Sequence, residues 1–265
     1  MTERLSRAER QRIAKNDAPW VGKPIAIDTV DRAFAANTRR MATILRDTDT
    51  PHRASRAAET ATRILDVTAA ALVNQPAACG RGCHHCCRTL VTATAPEILR
   101  LARAVKARPD IAARIPAAAA RARTTAATAP HTTRQFCPIL DAEICSLYEA
   151  RPLACRSLLS QSRDVCIRVF NQDRAEAIPF VRPSREIRDT VILMLQASLR
   201  LAALPYQQYE LIQGLAAALS QDDAEGRWLA GEPVFAGVET DPDHTRAAQV
   251  SQMVERLAAS LAPTL

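Results

Sequence analysis

SRAAETATRILDVTAAALVN, residues 55–74, runs directly into QPAACGRGCHHCC, residues 75–87, and this junction sets the expected architecture. In the first part Ala57, Ala61, Ile64, Leu65, Thr68 and Leu72 lie on one stripe at helical spacing, with Ser55 as the N-cap. Gln75-Pro76 stops the helix, because proline has no N–H to donate and pushes its predecessor out of the helical region. The chain then enters a segment with four cysteines in the nine residues from Cys79 to Cys87.

Helical patterns also flank this junction. Thr29 to Arg46 reads as a helix, and residues 1–27 before it read as a basic arm. After the cysteines, Leu90 to Thr94 is the best candidate for a short extended piece. Thr94-x-x-Glu97 resembles a capping box, with Pro96 in the first turn of a helix that runs to about Arg108. Pro116 leads an Ala/Arg/Thr-rich helix to about Thr128 whose weak apolar face predicts a solvated spacer. Residues 136–166, with Pro138 and Pro152 and irregular apolar spacing, predict loops and short helical turns. Helices return at Glu186–Leu204, Tyr206–Ser220 and Thr245–Leu261, the last with Val250, Met253, Val254, Leu257 and Leu261 on one face. The expected fold is all-α, a single helical domain over residues 28–265 with a cysteine core at about 76–166.

Composition agrees. Seven glycines, 4% aromatic residues and an abundance of Ala and Leu favour helices with cores of small aliphatic side chains. The net charge is +7, but the arginines are scattered and often near Asp or Glu, with no aromatic interleaving, so nucleic acid is an unlikely partner. Met1 to Asp17 has no apolar core of a secretion signal. Val191–Leu204 is interrupted by Gln196, Ser198 and Arg200 and is too short to span a bilayer. The expectation is a cytoplasmic protein without membrane partners, where thiols stay reduced and a disulfide framework is not expected.

The eight cysteines are Cys79, Cys83, Cys86, Cys87, Cys137, Cys145, Cys155 and Cys166. Gathered thiolates are soft anionic ligands suited to zinc or an iron–sulfur cluster. Gly80 and Gly82 relieve the tight loop that must aim the first sulfurs at one point. Cys86 and Cys87 are adjacent, and neighbouring side chains diverge, so one of the two faces the second cysteine region or a second metal. His84 and His85 lie between ligands, but eight thiolates make them dispensable; exposed or supporting histidines are the expectation. Cys166, between Val165 and Ile167, also reads as an ordinary buried thiol.

Cys79-Gly-Arg-Gly-Cys83-His-His-Cys86-Cys87, Val91-Thr92…Pro96-Glu97, Cys137-Pro138-Ile-Leu and Cys145…Tyr148…Arg151-Pro152…Cys155-Arg156 together resemble the YkgJ-like cysteine-cluster family, described as zinc- or iron-chelating. The resemblance covers about residues 76–160. This chain has three residues in the first gap where the family usually has two. The resemblance implies a metal site of about eight cysteines. Arg151 and Arg156 are placed to offset thiolate charge, and Tyr148 to hydrogen-bond a ligand sulfur. Arg81 and Arg88 read more simply as surface residues.

Three functions fit. An iron–sulfur centre of [4Fe–4S] type is favoured, because vicinal cysteines and clustered ligands with a distant Cys137-Pro138 suit it, with a role in electron transfer, redox sensing or support of a reaction. A structural or storage zinc site built from four cysteines is the alternative. The third is an enzyme. Cys79-x3-Cys83-x2-Cys86 is similar to the radical S-adenosylmethionine motif, but the expected fold lacks the alternating strands and helices of that barrel. The cysteine region is also similar to the flagellin lysine methylases, although no glycine-rich cosubstrate loop is present. The balance leans against an enzyme. A protein partner is left open.

Overall fold

A computed structural model describes residues 27–240, 242 and 244–262; the expected basic arm lies almost wholly outside them. The fold is all-α, as expected, and among the described residues the only sheets are small two-stranded ladders. Its scaffold is α1 (Ile27–Arg46), α2 (Arg53–Leu72), α3 (Ala95–Lys106), α5 (Ile115–Thr124), α8 (Ser184–Leu201), α9 (Leu211–Leu219) and α11 (His244–Leu261). Short helices α4 (Pro109–Ala112), α6 (Leu153–Ser157), α7 (Arg163–Gln172) and α10 (Ala224–Leu229) carry the irregular parts.

Helix α8 packs against α1, α2, α6 and α11, while α3 is held between α2 and α9. Met41, Leu45, Ile64, Ile98, Leu101, Leu195, Leu199 and Leu215 are fully buried where these helices meet. Each such aliphatic side chain contributes about 1.5–3 kcal/mol on burial. Among the described residues no helix is long and apolar enough to cross a membrane.

Several local expectations change in detail. Ser55 is not the N-cap of α2, which starts at Arg53; instead its N–H and hydroxyl both donate to buried Glu225, at 2.8 and 2.7 Å. A carboxylate from α10 thus serves the positive end of α2, where free N–H groups need an acceptor. Helix α5 is not a solvated spacer. It ends at Thr124 and buries Ile115, Ala118 and Ala119 against α9, because small side chains let two helices approach closely. Residues 208–210 are not helical but form strand β4 (Gln208–Glu210), antiparallel to β1 (Thr92–Thr94), with Thr92 opposite Glu210. Glu210 then caps α9 by accepting the Gln213 N–H at 2.7 Å. In α11 the buried face is Val254, Ala258 and Leu261, and Met253 is exposed.

Candidate metal centre

The first cysteine loop has Gly82 in the left-handed region at φ +84°, a conformation that costs other residues about 1–2 kcal/mol. A 3-10 turn, His85–Arg88, follows and carries Cys86 and Cys87. The loop is stitched to residues 158–161: Ala78 N–H donates to the Ser160 carbonyl at 2.8 Å, and Ser160 N–H donates to the Cys79 sulfur at 3.3 Å. Ser162 caps α7, which begins just beyond and carries Cys166.

The second region is attached differently. Cys137 N–H donates to the Cys87 carbonyl at 2.7 Å. A hairpin of β2 (Leu140–Asp141) and β3 (Ile144–Cys145) sets Cys145 opposite Leu140. Its two loop residues, Ala142 and Glu143, have φ of 44° and 64°, a primed turn made without Gly or Asn. Cys155 lies in α6, whose first N–H, on Leu153, donates to Glu97 at 2.9 Å.

Glu97 does more than its expected cap. The Thr94–Glu97 capping box is present, with Thr94 N–H and hydroxyl on one carboxylate oxygen at 2.9 and 2.8 Å. Leu153 N–H takes the other oxygen, so one buried side chain caps both α3 and α6 and locks the Cys155 helix to the scaffold. Burial pushes its carboxyl upward, against the opposing pull of these hydrogen bonds.

All eight cysteines are free thiols. Seven of them, all but Cys166, line one cavity of about 360 Å³ between the two regions. Cys166 lies alongside, buried with Val169 and Phe170 and with Cys86 packed against them. Cys137, Cys145 and Cys155 pack instead against the main core. Among the described residues no three Cys, His, Asp or Glu side chains are drawn tightly enough around one point to hold a single ion.

Six of the thiols, Cys79, Cys86, Cys137, Cys145, Cys155 and Cys166, are pushed toward the neutral form. Burial raises Cys137 to about 11, with further upward pressure from Cys145. Burial likewise raises Cys155, which also feels Cys137, Cys86 and Cys145. Cys86 is raised most through its hydrogen bond with Cys87, then by burial. Burial raises Cys79, and nearby Cys83, Cys86 and Cys166 add to the effect. Burial raises Cys145 and Cys166 as well. A metal must displace these protons to bind, so its affinity grows with pH.

The arginines divide by role. Arg81 is exposed, as expected of a surface residue. Arg88 departs from that expectation: its guanidinium carbon lies 3.9 Å from the Phe136 ring centre beside the cysteine cavity. Arg151 sits similarly over Tyr148, at 3.6 Å. The Nε atoms of both are buried without a hydrogen-bond partner. These are ring-stacked cations whose spare N–H groups border a set of potential anions. Arg156, by contrast, is fully engaged, bonding the carbonyls of Tyr148, Glu149 and Arg151 and the Asp66 carboxylate. It knits the ligand turn to α2.

His85 is buried rather than exposed, with Arg163 at 3.4 Å from Nε2 and the Asn171 amide at 3.1 Å from Nδ1. Arg163 only donates, so Nε2 accepts and the proton sits on Nδ1; turning the Asn171 amide oxygen, otherwise unpartnered, toward Nδ1 satisfies both. Burial, His84 and Arg163 all lower the His85 pKa, which favours this neutral form. The ring therefore ties the Cys86–Cys87 turn to α7. Sequence reasoning allowed for a supporting histidine but did not identify α7 as its partner, and it did not foresee the second cap made by Glu97.

Residues 78–176 match the model of the CxxCxxCC family, described as "Putative zinc- or iron-chelating domain". All eight cysteines lie inside the matched segment. No curated protein matches the chain, and no solved structure does.

Proposed function

We propose that residues 78–176, which match the model of a zinc- or iron-chelating domain, hold an iron–sulfur centre of [4Fe–4S] type. The observation that carries this is the seven-cysteine cavity of about 360 Å³. A tetrahedral zinc site, with bonds of about 2.3 Å, is filled by its own four sulfurs and needs no such space. The donor set suits the group in its chemistry rather than in its present spacing: free soft thiols arrive from two chain stretches, and Arg88 and Arg151 border the cavity with unpartnered N–H groups. When bound, a cluster supplies one-electron redox chemistry. The ligands would come from the cysteines. Arg88 and Arg151 would offset their charge, Tyr148 would hold Arg151 in place, and Arg156 would fix the turn that precedes Cys155.

The role this supports is electron transfer, redox sensing or assistance to a reaction. A second observation favours assistance to a reaction. A cleft of about 1280 Å³ adjoins the cysteine cavity, and Thr89, Leu90, Val91, Ala154 and Leu158 line both.

The test is metal analysis of the full chain purified without oxygen. Brown protein with equal iron and acid-labile sulfide is the expected result. Colourless protein with stoichiometric zinc would replace the cluster with a structural site. Calorimetry with S-adenosylmethionine then asks whether the neighbouring cleft takes that cosubstrate.

A further inference from the structure

Resting on the metal-binding reading above, we propose that the eight cysteines form two four-thiolate centres side by side: Cys79, Cys83, Cys86 and Cys166 in one, Cys87, Cys137, Cys145 and Cys155 in the other.

The two sets hang on different parts of the fold. Cys166 is buried with Val169 and Phe170 in a small cluster of its own, and Cys86 packs against that cluster. The Cys79 sulfur accepts from Ser160 N–H, and the Ser160 hydroxyl accepts from Ser162 N–H at 3.1 Å, at the start of the helix bearing Cys166. His85 bonds Arg163 and Asn171 of the same helix. The first loop and α7 are therefore tied together, and Cys166 is the remote fourth ligand to the three thiols of the loop.

Cys137, Cys145 and Cys155 instead pack on the main core. Cys137 is tied to the Cys87 carbonyl, Cys145 is placed by the hairpin, and Cys155 is anchored through Glu97. The Cys86 and Cys87 thiols hydrogen-bond each other, so the vicinal pair stands where the two sets meet, with Cys86 packed toward the Cys166 cluster and Cys87 tied through its carbonyl to Cys137. Cys86, which neighbours both Cys166 and Cys155, sits at the seam. The same logic operates in two-cluster ferredoxins, where a run of three cysteines closes one cluster with a remote fourth. A single centre would leave four free thiols in and beside the same cavity.

The experiment compares wild type with two double variants, Cys79→Ser/Cys166→Ser and Cys137→Ser/Cys145→Ser, each prepared without oxygen. Iron, sulfide and zinc are counted, and thiols are footprinted by alkylation with and without metal. The expected wild type holds two equal metal complements, two zinc ions or two clusters, with all eight thiols protected. Each double variant should keep one half. Loss of all metal in either variant with helical content intact, or protection of only four thiols in wild type, overturns the two-centre assignment while leaving metal binding in place. A wild type that binds no metal overturns both. The wild-type footprint decides the matter even if a variant fails to fold.

Discussion

Glu97→Ala removes the one acceptor shared by two helix starts. The side chain is fully buried, so no water replaces it. The backbone N–H groups of Thr94 and Leu153, each at 2.9 Å from the carboxylate, lose their partner. Each orphaned buried donor costs about 1–3 kcal/mol, which gives about 4 kcal/mol for the pair. That is a large share of a typical domain's total stability of about 5–15 kcal/mol. At about 2–4 °C per kcal/mol for a chain of this size, Tm should fall by about 8–16 °C. Thr94→Val, which removes only the hydroxyl, should cost about 1 kcal/mol. The assay is thermal and urea unfolding of the metal-free chain, repeated across pH. Burial raises the Glu97 pKa above 4.5, so the fold favours the protonated form. Its contribution is fully present below 4.5 and declines as pH rises through the folded pKa, a trend that Glu97→Gln should abolish. A Glu97→Ala loss under about 1 kcal/mol would refute the double-cap argument, and a wild-type profile parallel to that of Glu97→Gln would refute the upward shift by burial.

Zn²⁺ affinity, titrated at two pH values, should rise with pH by up to about tenfold per unit for each proton displaced, since Cys137 stays protonated up to about 11; a flat response would contradict the buried neutral thiols. Gly214→Ala places a Cβ 2.7 Å from Ile98 Cδ1, itself fully buried, and should destabilise by about 1–3 kcal/mol in urea unfolding, with Ile98→Val restoring part of the loss. Glu225→Ala should cost about 2–4 kcal/mol, because the Ser55 N–H and hydroxyl both lose their acceptor. His85→Ala should alter the spectrum and footprint of the Cys79, Cys83, Cys86 and Cys166 set before it lowers Tm, whereas equal disturbance of both sets would argue against its tie to α7.

Where information was local, it was legible. The Thr94–Glu97 capping box, the extended piece before it and the 55–74 stripe all appear, since cap chemistry and helical periodicity act within a few residues. Errors fell where a distant partner overrode a local preference. Ser55 looked like a cap until Glu225 arrived from α10, and residues 208–210 looked helical until β1 offered a ladder. The weak apolar face of α5 was misleading because alanines bury well only when a neighbouring helix comes close. The β2–β3 hairpin carried no Asn-Gly or Asp-Gly signal, and its Ala142-Glu143 turn is identifiable only from φ.

The order of residues by itself determined an all-α chain with its eight thiols confined to 79–166, because helical period and ligand chemistry are properties of near neighbours. Only the folded arrangement decided which thiols keep company. It brought Cys166 beside the first loop through α7, set Cys155 on the scaffold through Glu97, and tied the Cys86–Cys87 turn to both, by packing on one side and by the Cys137 N–H on the other. Those pairings depend on how helices dock across long stretches of chain, and spacing along the backbone carries no measure of that distance.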